Sequence, residues 1–190
     1  MIMKEKLIGV DLLLSGSSPG SQIMSLNLCD YNLKQEKMSI NILYCEFLDL
    51  DFSKLSDFSK SFFKETQILE NHNIRYSDTE NDDNYNIKTL LDTKEKVKKE
   101  IISYLKELSN NGEYRLKFIC NNNIEFIYFL QYLFEYEDDT LVIPEYFDFN
   151  SIDYSTISYL FGNKCKLIRG KNVLLNAWEL VDGYLKFIYN

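Results

Sequence analysis

Only two prolines and seven glycines are spread over 190 residues, which excludes a fibrous or linker-rich chain. Positive charge is also scarce: 21 Lys and Arg stand against 29 Asp and Glu, for a net charge of −8 and a pI near 4.8. Such a chain is not drawn to a phosphate backbone at long range, so any nucleic-acid contact has to be local. The four cysteines, Cys29, Cys45, Cys120 and Cys165, form no C-x-x-C pair, and three of them sit in apolar strand-like runs. They read as buried free thiols of a reducing compartment. No uninterrupted apolar run approaches the roughly 18 residues of a membrane span, and the first six residues lack the apolar core of a signal peptide. A cytoplasmic protein without a membrane segment is expected.

What the chain does have is material for a core: 45% of its residues are hydrophobic and 15% aromatic, with 14 Tyr and 13 Phe. Its length suits one domain over residues 1–190. Leu7 to Leu14 and Gln22 to Tyr31 read as paired strands around a Ser/Gly/Pro turn, and Met38, Ile40, Ile42 and Tyr44 alternate as a third strand. Leu55, Phe58, Phe62 and Phe63 fall on one side of a helix that Ser53 could cap. The polar stretch 70–86 reads as an exposed loop. Asp92 and Glu95 resemble a capping box for a helix with the stripe Val97, Ile101, Leu105 and Leu108, closed by Asn111-Gly112. Residues 115–120 then read as a strand, 123–136 as a helix, 140–143 as a strand stopped by Pro144, and 151–161 and 172–189 as helices. The order β-β-β-α-α-β-α-β-α-α predicts an α/β fold with a mixed five-stranded sheet flanked by helices.

Four segments, taken in order, resemble the DEDD (DnaQ-like) 3′-5′ exonuclease superfamily with its ribonuclease-H-like fold. They are the opening hairpin Gly9 to Leu28, the stretch Asn121 to Leu130, the stretch Phe149 to Ile157 around Asp153, and the last helix from Lys171 to Val181. In that family an Asp-x-Glu on the first strand, an Asp in the second motif and a His-x-x-x-x-Asp in the third supply four carboxylates and a general base. Asp11 keeps the first carboxylate. The resemblance places Leu13, Phe126 and Asn176 at the other three carboxylate positions and Lys171 at that of the base. Two Mg²⁺ ions roughly 4 Å apart require several carboxylate oxygens in one small volume. Asn176 could offer an amide oxygen, Leu13 and Phe126 offer nothing, and Lys171 could place an ammonium group beside Asp11. The only histidine, His72, lies in the polar loop, far upstream of the third motif.

The expectation is a catalytically inactive exonuclease-like domain that acts as a protein-interaction or binding scaffold, with no cofactor. A protein partner or a homo-oligomer suits the acidic balance and the surplus of Tyr and Phe. One alternative is a metal-dependent enzyme with a displaced site, in which Glu125, Asp153, Glu179 and Asp182 join Asp11 around Mg²⁺ or Mn²⁺. Another is single-stranded nucleic-acid binding without cleavage, with Lys164, Lys166, Arg169 and Lys171 on phosphates. Plainer readings accompany each: Glu125 as a solvated helix residue, Asp11 as a turn or cap acceptor, the basic cluster as a solvated edge, and Phe126, Tyr128, Phe129, Tyr132 and Phe134 as helix core.

Overall fold

The fold is known from a computed structural model, which describes residues 4–16, 21–34, 37–57, 60–61, 85–134, 136–137, 140–160 and 175–189. Its centre is a six-stranded mixed sheet. The strands are β1 (Lys4–Leu14), β2 (Ile23–Lys34), β3 (Lys37–Phe47), β4 (Tyr85–Asp92), β5 (Tyr114–Cys120) and β8 (Ile152–Asp153). β1, β2 and β3 form the expected antiparallel meander, while β4 joins β3, and β5 and β8 join β1 in turn, as parallel neighbours.

Two layers of helix enclose this sheet. α1 (Lys94–Leu108) and α2 (Asn123–Leu133) cover one face, where Ile8, Val10 and Leu12 of β1 meet Val97, Ile101 and Leu105 of α1 and Phe126 and Phe129 of α2. Phe118 is the hub of this layer, with ring centroids 5.5 Å from Phe126 and 4.9 Å from Phe147. Against the other face lies α4 (Asn176–Tyr189), whose Ala177, Trp178, Leu180 and Val181 pack on Cys29, Ile42 and Ile119, joined by Tyr154 of the short α3 (Tyr154–Leu160). Ahead of the bulge near its end, the alternation of β1 sends Ile8, Val10 and Leu12 to the first layer and Leu7, Gly9 and Asp11 to the second.

The sheet has one strand more than the sequence pattern indicates. Tyr85 and Asn86, read as the end of a loop, open β4, whose polar residues alternate because it is an edge strand; residues 70–84 lie outside the described residues. Thr140–Leu141 (β7) pairs only with Tyr136–Glu137 (β6) in a separate hairpin, and the strand added beside β5 is instead Ile152–Asp153, from the start of an expected helix. Two caps also differ. Thr93 is the N-cap of α1 and makes no side-chain cap bond; Asp92 accepts from the Thr93 amide at 2.8 Å, and Asp49, in the turn after β3, accepts from the Lys94 amide at 2.9 Å. Residues 52–54 form one 3-10 turn capped by Asp51, which accepts from the Ser53 amide and hydroxyl, so Ser53 donates rather than caps; Phe58, Phe62 and Phe63 lie outside the described residues. The end of α1 is as read: Asn110, Asn111 and Gly112 take φ of 50°, 55° and 94° in succession, and the glycine carries the largest.

Candidate functional site at the carboxyl end of β1

Gly9 determines where α4 lies. A Cβ there would collide with the Ala177 carbonyl oxygen and sit 2.8 Å from Val181 Cγ2, so the bare backbone lets the helix rest directly on β1. Two residues further along the same face is Asp11, and the first residue of α4 is brought over it: Asn176 Nδ2 donates to Asp11 Oδ2 at 3.3 Å. Both residues are buried, Asp11 with 5% and Asn176 with 6% of its surface exposed.

The polar character of this face continues across the meander. Asn27 of β2 is the cross-strand partner of Asp11, Tyr44 of β3 is that of Asn27, and Ser25 pairs with Glu46 one step along. All four are buried, and the Tyr44 hydroxyl donates to Glu46 Oε1 at 2.7 Å. Burial, and then the Glu46 charge, push the Tyr44 phenol far up, so it remains a protonated donor. Among these residues only Asp11 and Asn176 could be singled out from sequence. Asn27, Tyr44 and Glu46 occupy ordinary strand positions, and their meeting depends on register.

Glu125 is not the solvated residue that its helix position suggests. It is 6% exposed, and its Oε1 accepts from Asn122 Nδ2 at 3.1 Å and Asn121 Nδ2 at 3.3 Å, while Asn122 Oδ1 accepts from the Glu125 amide at 3.0 Å. This is a reciprocal N-cap of α2, and Asn-x-x-Glu was its signal in the sequence. Phe126, next on the helix, turns into the α1 and α2 layer, and Leu13 is half-buried against that core beside a bulge in β1. Asp153 caps α3, accepting from Ser155 Oγ at 2.7 Å and the Thr156 amide at 3.0 Å. Burial works against its charge, but these bonds outweigh burial and hold the carboxyl below its ordinary range.

Cys120 lies among three of these acids: burial first, and then the charges of Glu125, Asp11 and Asp153, raise its thiol well above the ordinary value. It is a neutral core thiol and not a nucleophile. Glu179 is half-buried one turn along α4 from Asn176, and Asp182 is bound by Lys186 at 2.6 Å on the same helix. Lys164, Lys166, Arg169 and Lys171 lie outside the described residues.

The residues at the positions of the four carboxylates do not fit a two-metal centre. The described positions supply one carboxylate, one amide whose N–H is turned to that carboxylate, and two hydrocarbon side chains directed to apolar packing. Hard divalent cations need converging oxygens, and this donor set does not provide them. Among the described residues no group of three or more His, Cys, Asp or Glu is placed to hold a metal ion, and no helix is long and apolar enough to cross a membrane. In comparisons with known proteins, the chain matches no family model, no curated protein and no solved structure.

Proposed function

We propose that this chain is a ribonuclease-H-like domain of the DEDD exonuclease type that has lost its metal chemistry and works as a protein-binding scaffold. The observation that carries the reading is the Asn176 to Asp11 hydrogen bond. It joins the residues standing at the first and third motif positions of the resemblance, 165 positions apart in sequence, as that plan requires. The chemistry at their meeting point is that of a structural pair: an amide donates where a second carboxylate would have shared a cation. An opening meander followed by parallel strands added beside β1, with helices on both faces, also supports the reading.

A displaced-site enzyme draws on one observation, that the charges of Glu125, Asp11 and Asp153 all act on the Cys120 thiol. Each of these acids has a structural occupation: Asn176 holds Asp11, the α2 cap holds Glu125, and the α3 cap holds Asp153. The scaffold reading is therefore preferred. Calorimetric titration with Mg²⁺ and Mn²⁺, followed by incubation with single-stranded DNA and RNA in the same buffer, tests it with Asp11→Ala as control. The expected result is no cleavage and no metal binding that depends on Asp11. Metal-dependent trimming from the 3′ end that disappears in Asp11→Ala would reject the proposal in favour of the displaced site.

A further inference from the structure

Among the described residues β4 ends the sheet, and no further strand lies along its outer edge. The Asp92 carbonyl accepts from the Leu48 amide, which fixes the phase of the parallel ladder with β3: residues 86, 88, 90 and 92 turn their backbone groups inward. Ile87, Thr89 and Leu91 therefore direct N–H and C=O away from the sheet, and among the described residues nothing pairs with them. The usual protections of an edge are sparse here. The strand runs eight residues without proline or bulge, and Leu91 is 48% exposed. Beside it, between β4 and α1, runs an open groove of about 510 Å³ whose charged lining is three lysines, Lys88, Lys96 and Lys99, and two acids, Asp92 and Glu100.

We infer that this edge is the contact surface for a second copy of the chain, two β4 strands pairing antiparallel about a two-fold axis at Leu90 to make one continuous twelve-stranded sheet from two six-stranded ones. A two-fold contact must be self-complementary: if residue i meets residue j, then j meets i. The outward phase of Ile87, Thr89 and Leu91 restricts the axis to particular positions. Centred on Leu90, Thr89 meets Leu91 twice, which covers the exposed leucine; Leu90 meets its own copy on the α1 side, and Lys88 meets Asp92 twice. Centred on Lys88, the ammonium groups would face each other. Centred on Thr89, Lys88 would face Leu90 and no opposite charges would meet.

Charge argues for a second copy over a peptide of another kind. The chain carries a net −8, yet this groove is nearly balanced, so two copies can approach here without the repulsion that opposes contact elsewhere. Its charges are arranged as opposite pairs, Lys88 with Glu100 at 3.6 Å and Asp92 with Lys96 at 3.2 Å, and each exposed pair can take up its opposite from the copy. The inference does not rest on the scaffold reading, because it uses no residue of the Asp11 site.

Light scattering of the 190-residue chain should give twice the monomer mass at tens of micromolar. Thr89→Pro removes an N–H that β3 does not use and fills the edge with a ring, so it should weaken dimerisation at least tenfold while leaving the denaturation midpoint unchanged at dilutions where both chains are monomeric. Leu90→Cys supplies a test that does not depend on how well that variant folds. Facing residues of a non-hydrogen-bonded antiparallel pair have Cα atoms about 4.5 Å apart, within disulfide reach. Under mild oxidation Leu90→Cys should become a covalent dimer, whereas Thr89→Cys, offset from its own copy in this register, should not. A monomeric wild-type chain would overturn the inference. So would a dimer in which Leu90→Cys forms no cross-link.

Discussion

Asn176 Nδ2 lies 3.3 Å from Asp11 Oδ2, and this bond ties the start of the last helix to the central strand of the sheet. Both groups are almost completely buried, so the carboxylate depends on the amide for part of the hydrogen bonding it gave up on leaving water. The contact exists because Gly9, two residues earlier on the same face, lets the Ala177 backbone approach the strand. A packing feature and a polar feature are therefore linked at one end of α4.

An acid placed at position 176 should destabilise the protein. In Asn176→Asp two carboxylates share a buried site, and their repulsion and burial raise the folded-state pKa of the pair above its unfolded value near 3.9. A raised folded pKa means that stability is retained at low pH and lost as pH rises through that value. We expect a loss of about 3 kcal/mol at pH 7 and little at pH 4, read from urea midpoints. Equal stability at both pH values would contradict the buried contact.

The two close glycine contacts should respond very differently to alanine. At Gly9 the obstacle is the Ala177 backbone carbonyl, which cannot move without shifting α4, so Gly9→Ala should cost about 3 kcal/mol. At Gly183 the obstacle is the end of the Tyr154 side chain, and Gly183 lies inside α4, where alanine gains about 1 kcal/mol in helix propensity. Gly183→Ala should be close to neutral. Denaturation curves of the two variants that coincide would show that α4 does not rest on β1 as described.

How much of this was legible in the sequence depends on whether a signal is local. The meander, the Val97, Ile101 and Leu105 stripe and the stop at Asn111-Gly112 are written in periodicity and turn residues, and they stand where read. β4 was missed because an edge strand carries polar residues that look like loop, and Ile152–Asp153 because two residues hold no period. At the site, Asp11 and Asn176 were found through the resemblance. Glu125, read as a solvated helix residue, is instead fixed by its three-residue spacing from Asn122, a capping signal that is local and legible. Asn27, Tyr44 and Glu46 were invisible, since only strand register brings them together.

The three cysteines among the described residues should be chemically silent in the folded chain. Cys29, Cys45 and Cys120 are free and buried, and burial raises the thiol of each, with nearby Asp30 adding to the effect at Cys29. Because the thiolate is the reacting form, none should take up iodoacetamide at pH 8 until denaturant is added. Peptide mapping after brief labelling checks each site separately. Rapid native labelling at any of the three would mean that the sheet face covering it opens readily.

The other polar contact of consequence lies on the opposite face of the sheet, at the other end of the strands. Asp30 is fully buried, yet Lys6 Nζ lies 3.3 Å from its Oδ2, the Tyr104 hydroxyl donates to its Oδ1 at 2.6 Å, and Asn41 Nδ2 donates at 3.3 Å. Removing one partner of a buried pair leaves an uncompensated charge, so Lys6→Met should cost about 3 kcal/mol, while Asp30→Asn with Lys6→Met should cost much less than the sum of the two single changes. Tyr104→Phe should cost about 2 kcal/mol, since its bond is to a charged acceptor. Burial, and then the Asp30 charge, raise the Tyr104 phenol far above its ordinary value. Its contribution is therefore complete below the unfolded pKa near 10 and is lost only as pH rises toward the raised folded value. Urea midpoints across pH 8 to 11 should accordingly fall more steeply for wild type than for Tyr104→Phe, and additive costs for Lys6→Met and Asp30→Asn would show that the ammonium and the carboxylate do not act as a pair.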